Sequence, residues 1–331
     1  MLNPNVKLNK KMFNESIEQI AIRRGFGEGL VIAGDEDKNV VGLCADLNES
    51  TKMNLFAEKY PERFVQIGVA EQNLAAVASG MAAMGKVPFI SSYAMFSPGR
   101  NWEQIRTTVA YNNQPVKIIG SHAGVSVGPD GGTHQAIEDI AIMRVIPNMI
   151  VLSPCDSIEA KKATIAAAKI DKPVYIRLMR EKTPVITTEE TPFEIGKAEI
   201  YFAPPMEPQV GIVATGALVH KAILVAQKFA EKGVSVKVLN ISSIRPLDFE
   251  AIISLAKESG AIVSVEEHQV VGGLGSAIAE VLVQNHPVPM ELIGVHDQFG
   301  QSGTPNELIE HYNMGVSHIE KAVERVMKRK N

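Results

Sequence analysis

The sequence predicts an α/β protein built from two three-layer αβα domains, and three observations carry that prediction. Short β-branched apolar runs alternate with longer stretches of helical periodicity along most of the chain, as in parallel sheets covered by helices on both faces. The 331 residues fit two domains at roughly 150 residues each. A stretch at 183–208, rich in Thr, Glu and Pro (Pro184, Pro192, Pro204, Pro205, Pro208), breaks the alternation and obstructs continuous helix. One domain with a mostly parallel sheet is therefore expected at 1–188 and a smaller one at 189–331.

Taken in order, Asn14 before Glu15 is a capping signal that opens a helix running through Arg23 and Arg24. Val40–Cys44 reads as a buried strand, as do the apolar runs at 63–67, 87–91, 116–120, 149–152 and 174–178. Helices are expected between them at 74–84, 102–111 and 158–169. Past the boundary, strands at 210–214, 234–239, 261–265 and 290–295 alternate with helices at 219–232, 249–257 and 276–284. Lys328-Arg329-Lys330 reads as a frayed basic helix end.

Composition excludes several function classes. With 45% hydrophobic and 21% charged residues the chain folds as an ordinary globular protein. Thirty-three Lys+Arg against 37 Asp+Glu give a net charge of −4, so no global positive field attracts nucleic acid or anionic lipid. No apolar stretch approaches the ~20 residues of a spanning helix, and the polar opening lacks a signal-peptide core. A soluble, cytoplasmic protein is expected. The only cysteines, Cys44 and Cys155, read as buried thiols.

Ligands of open α/β sheets collect beyond the carboxyl ends of strands, so the polar residues there are the candidates. The richest segment is Ser121-His-Ala-Gly-Val-Ser-Val-Gly-Pro-Asp-Gly-Gly-Thr-His-Gln135. Its glycines and proline forbid regular structure, while His122, Asp130 and His134 offer proton acceptors and donors near pH 7 for a hydroxylated substrate. A tight surface loop with incidental histidines is the competing reading. The twelve-residue His122–His134 spacing matches no compact zinc motif. Glu71, in Val69-Ala-Glu-Gln-Asn73 ahead of a small-residue helix, is either a pocket carboxylate for a heterocycle nitrogen or a first-turn glutamate favoured by the helix dipole. Tyr93, Phe96 and Trp102 offer an aromatic face or plain core. Arg23, Arg24, Arg100, Arg106, Arg177 and Arg180 are anion-ligand candidates or ordinary ion-pair residues. Val271-Gly-Gly-Leu-Gly-Ser276 lacks the full dinucleotide spacing and reads as packing.

From about Ile20 to the C-terminus these residues resemble the C-terminal half of the transketolase family of thiamine diphosphate enzymes. The motifs are Ala21-Ile-Arg-Arg-Gly-Phe-Gly-Glu28, Leu43-Cys-Ala-Asp-Leu-Asn-Glu-Ser50, Gly68-Val-Ala-Glu-Gln-Asn73, the glycine–histidine loop and Ile140-Ala-Ile-Met-Arg-Val-Ile-Pro-Asn148. The resemblance implies a pyrimidine-binding domain followed by a transketolase-like C-terminal domain. It also implies that Glu71 hydrogen-bonds N1′ of the cofactor's aminopyrimidine, that Phe96, with Tyr93 and Trp102 as alternatives, stacks on that ring, and that Asp46 lies close to the cofactor at a subunit interface. By the same resemblance His122 and His134 contact sugar hydroxyls and assist proton transfer, Asp130 contacts the acceptor's C2 hydroxyl, and Arg23, Ser50 and Arg180 bind the sugar phosphate.

One feature of the family pattern is missing. The Gly-Asp-Gly segment followed by an asparagine, which holds the diphosphate through a divalent metal, has no counterpart here; Pro129-Asp-Gly-Gly132 belongs to the sugar loop. The resemblance therefore implies a split transketolase of the pentose phosphate pathway. A separate N-terminal subunit would supply the site for Mg²⁺ or another divalent ion, the assembly would be an α2β2 heterotetramer, and this chain would carry no metal ligands. Its reaction would pass a two-carbon unit from a ketose phosphate to an aldose phosphate. The alternatives are the matching half of a deoxyxylulose phosphate synthase and the beta subunit of a 2-oxo acid dehydrogenase.

Overall fold

A computed structural model describes residues 1–330. The β-branched runs form a seven-stranded sheet in the order Ser243–Arg245, Ile150–Leu152, Val174–Arg177, Lys117–Ser121, Val87–Tyr93, Val40–Cys44 and Phe64–Gln66. All neighbours pair in parallel except Ser243–Arg245, which runs antiparallel to Ile150–Leu152. A five-stranded sheet follows in the order Met290–Val295, Ile262–Gln269, Val210–Ala214, Val236–Asn240 and Glu199–Phe202, with only the last strand antiparallel. Both sheets carry helices on both faces, the expected α/β layering.

Alternating side chains divide the first sheet's core in two, as the period of a strand requires. Val41, Leu43, Ile90 and Ile118 pack with helix Glu71–Ala83. Val40, Cys44, Phe89 and Ile119 pack with helices Ile22–Glu36 and Ser157–Ala168. The first of these cores continues into the second sheet through Val213, Leu239, Ile262 and Ile278, so the two units share buried apolar surface.

The N-terminal region departs from expectation. Instead of a helix at 15–24, Gln19–Ala21 forms a strand antiparallel to Lys182–Pro184, and the helix runs over Ile22–Glu36. Its glycines hid it, since glycine weakens a helix locally, and tertiary packing explains them. A Cβ on Gly25 would lie 1.7 Å from the Ser157 carbonyl oxygen, and one on Gly29 would lie 2.7 Å from that of Lys161. Residues before this strand pack away from the first sheet: Val6, Leu8 and Met12 join Tyr201 and Phe202 in the core of the second. The helix expected at 102–111 is α-helical only over Trp102–Gln104 and continues as a π-helix over Ile105–Ala110.

Candidate active site

The candidate residues gather beyond the carboxyl ends of the parallel strands. Glu71 is the first residue of its helix, and its side chain is 1% exposed. The helix N-terminus favours its negative charge. Its carboxylate Oε2 accepts a hydrogen bond from Arg100 Nη1 at 3.0 Å and its Oε1 accepts from Ser92 Oγ at 3.2 Å. Asn101, also buried, donates from Nδ2 to the Glu71 carbonyl at 3.0 Å.

Tyr93 ends strand Val87–Tyr93, and Phe96 follows in the next turn. Their rings stack with centroids 6.2 Å apart and planes 19° from parallel. The Arg100 guanidinium lies over the Phe96 ring, 4.9 Å from its centroid. A planar group with N–H donors thus sits on Phe96 and bonds to Glu71. Trp102 is placed elsewhere: its indole N–H donates to the Ile142 carbonyl at 2.8 Å and its ring packs against the core.

His122 follows strand Lys117–Ser121 with a left-handed backbone, φ 56°, a conformation uncommon for a residue with a Cβ. Its ring stacks on Tyr93 at 3.9 Å. Arg23 Nη1 lies 2.7 Å from His122 Nε2, and Ser121 Oγ lies 2.9 Å from Nδ1. Burial, then the charges of Arg23 and Arg180, push the imidazole pKa down to about 3. His134 meets the same aromatic pair edge-on, 5.4 Å from Phe96 and 6.3 Å from Tyr93. Arg180 donates to the Val127 carbonyl at 2.6 Å and lies 3.4 Å from Asp130. Burial lowers the pKa of Arg23, with the charge of Arg180 second, and its buried Nε has no hydrogen-bond partner.

Glu71, Tyr93, Phe96, His122, His134 and Arg23 are thus linked, directly or through one neighbour, while Arg180 and Asp130 form a pair of their own whose arginine acts on His122 and Arg23 through its charge. Asp46 and Ser50 line a separate depression of about 290 Å³ with Leu47, Asn48 and Glu49. Asp46 has φ 60°, and its N–H is held by Gln66 Oε1 at 2.8 Å.

Buried groups that the sequence did not pair fix the loop at 121–135. Arg177 and Asp139, with side chains 1% exposed each, form an ion pair at 2.8 Å. Arg177 Nη2 also donates to the carbonyls of Ala136 at 3.2 Å and Glu267 at 2.8 Å, tying the loop to the second sheet. Gln135 Nε2 donates to the carbonyls of Val125, Gly128 and Gln301. Arg177 is therefore a structural cation, and Arg24 pairs at the surface with Glu28. The glycine segment 271–276 is packing, as expected: the buried Glu266 carboxylate accepts the N–H groups of Leu274 and Gly275 at 2.7 and 2.8 Å, and burial pushes its pKa up to about 7.

Comparison with known proteins decides the family. Residues 18–185 match the model described as transketolase, pyrimidine binding domain, and residues 196–319 match transketolase, C-terminal domain. The chain belongs to the transketolase family. It is 42% identical over 93% of its length to a Methanocaldococcus jannaschii protein provisionally described as a transketolase C-terminal section, covering 96% of that protein. It is 38% identical over 96% of its length to a 6-deoxy-6-sulfo-D-fructose transketolase subunit of Clostridium sp. strain MSTE9, covering 98% of it. A solved structure titled as a split gene transketolase, inactive beta4 tetramer, superposes with a TM-score of 0.87 at 41% identity, covering 94% of this chain and all of that one. Transketolases are thiamine diphosphate-dependent transferases, so the chain is an enzyme component. Among the described residues no helix is long and apolar enough to cross a membrane, and no group of three or more His, Cys, Asp or Glu is arranged to hold a metal ion.

Proposed function

We propose that this chain is the C-terminal subunit of a split transketolase, which acts with a separate N-terminal subunit in an α2β2 assembly. The reaction is transfer of a two-carbon ketol unit from a ketose phosphate to an aldose phosphate, as in pentose phosphate interconversion in the cytoplasm. The observation that carries this reading is a buried helix-start carboxylate, Glu71, joined through Arg100 to the Tyr93–Phe96 pair, with two histidines that contact the same pair. Bound thiamine diphosphate supplies the nucleophilic carbon that cleaves and remakes the carbon–carbon bond.

The chain's own residues bind and position. Glu71 hydrogen-bonds N1′ of the aminopyrimidine, and Phe96 with Tyr93 forms the wall beside that ring. The Trp102 ring packs against the core with its N–H on the Ile142 carbonyl, so the wall is assigned to Phe96 and Tyr93. His122, neutral at pH 7, and His134 hold sugar hydroxyls and move protons, while Asp130 accepts from a hydroxyl. Arg23 and Arg180 grip the phosphate, with Ser50 nearby in the assembled site, and Asp46 faces the subunit junction. Mg²⁺ or a similar ion is held mainly by the N-terminal subunit, a reading supported by the missing Gly-Asp-Gly segment.

The test is transfer from xylulose 5-phosphate to ribose 5-phosphate with thiamine diphosphate and magnesium, for the chain alone and for the mixture of subunits. Activity in the mixture only is expected. Full activity of the chain alone would overturn the split site, and carbon dioxide release from a 2-oxo acid would replace the reading with a decarboxylase.

A further inference from the structure

We infer that Arg100 is a cofactor latch: its guanidinium fills the corner between Glu71 and Phe96 in the free subunit and turns out to solvent when the aminopyrimidine ring enters. The inference rests on the preceding reading of Glu71 and Phe96.

The geometry makes the two occupants mutually exclusive. Arg100 Nη1 takes Glu71 Oε2 at 3.0 Å, and the same guanidinium covers the Phe96 ring at 4.9 Å. Those are the oxygen and the ring face that a stacked, hydrogen-bonding pyrimidine needs. Ser92 holds the other carboxylate oxygen at 3.2 Å.

Burial explains why the free subunit carries such a group. The Glu71 side chain is 1% exposed, and an ionised carboxylate so buried is costly without a charged or hydrogen-bonding partner. Arg100 supplies that partner from the mouth of the site, since its own side chain is 52% exposed. Because the arginine end of the pair stands in solvent, the pair is weaker than a fully buried one and open to replacement by a ligand that satisfies Glu71 in its turn, and a cation–π contact at an exposed site adds little more.

The backbone beneath the latch stays in place. The Arg100 N–H donates to the Phe96 carbonyl at 2.9 Å. Asn101, fully buried, is fixed to the Glu71 carbonyl and, at 3.2 Å, to Ser97 Oγ. A Cβ on Gly99 would lie 1.9 Å from the Met95 carbonyl, so the turn is already closed as tightly as glycine permits. Only the arginine side chain has freedom to swing. A site that is competent only when the latch is open shows its intrinsic affinity reduced by the open fraction.

The experiment is calorimetric titration of thiamine diphosphate with magnesium into the reconstituted complex, comparing wild type, Arg100→Met and Arg100→Lys. Methionine keeps the stem and removes the donors, so the dissociation constant should fall by about three- to tenfold; lysine, a cation without the planar fork, should give a smaller gain. An unchanged or weaker dissociation constant for Arg100→Met, with wild type binding normally, overturns the latch and leaves the functional reading intact. Absence of binding to the wild-type complex overturns both. Circular dichroism melting establishes that the variants fold, and should Arg100→Met fail to fold, a lysine variant that binds no tighter than wild type sinks the inference alone.

Discussion

Arg23 Nη1 lies 2.7 Å from His122 Nε2, and this contact sets the state of the imidazole. A guanidinium only donates, so Nε2 is the acceptor and the ring proton resides on Nδ1, where it is donated to Ser121 Oγ at 2.9 Å. Burial is the largest cause of the low pKa, about 3, with the Arg23 charge next. Arg23→Met should therefore raise the His122 pKa while leaving it below the ordinary 6.5. Histidine ring NMR titration measures this, and an unmoved pKa would mean that Arg23 does not act on the ring.

Glu71→Ala should leave the fold intact and remove most two-carbon transfer in the reconstituted enzyme, by about 10²-fold or more, the usual scale for a positioned acid–base group. The comparison is turnover of the variant and wild type, with melting curves to establish folding. Near-normal turnover would end the assignment of Glu71.

Arg180 reaches the loop at 121–135 from beyond strand Val174–Arg177, and its side chain is one-third exposed at 31%. Arg180→Ala should chiefly raise KM for phosphorylated sugars, by about tenfold for a lost interaction of about 1.4 kcal/mol. A loss confined to kcat would argue against phosphate binding.

The Arg177–Asp139 pair makes a stability prediction of the opposite character. Both side chains are buried, so removing one partner leaves an uncompensated charge, at a cost of about 3–5 kcal/mol. Arg177→Met should lower the melting temperature more than the double variant Arg177→Met with Asp139→Asn. A double variant that loses the sum of what Arg177→Met and Asp139→Asn lose singly would show that the pair is not coupled.

How far the sequence could be read depended on whether the deciding interaction was local. The central parallel strands were legible because they are short runs rich in β-branched residues and buried on both faces. Residues 121–135 and Glu71 were legible because they stand at strand ends, where open sheets place ligands. Helix Ile22–Glu36 was not, because Gly25 and Gly29 answer to a helix more than a hundred residues away. Ser243–Arg245 joins the first sheet, and residues near the N-terminus join the second core; such long-range pairings leave no local periodicity. At the site, Arg100 stood among six candidate arginines with nothing in the sequence to pair it with Glu71. Trp102 was indistinguishable from Tyr93 and Phe96 until its indole N–H was seen on Ile142.

Lys117 offers a test that depends on pH alone. Its side chain is buried in the central sheet, with Nζ donating to the carbonyls of Ile170 at 2.6 Å and Lys172 at 2.8 Å. Burial lowers its pKa to about 7 from an ordinary 10.5, against a smaller opposing pull from Asp171. Between those values the unfolded chain binds more protons than the folded one, so the free energy of unfolding should rise with pH across the window, by up to about 1.4 kcal/mol per unit. Lys117→Met removes the titrating group and leaves two carbonyls without their donor. It should lower stability at pH 7 and also flatten the rise toward pH 10. Urea denaturation midpoints across that range decide the matter: an equal slope in both proteins would mean that the wild-type lysine stays protonated in the fold and that its two carbonyl partners outweigh its burial.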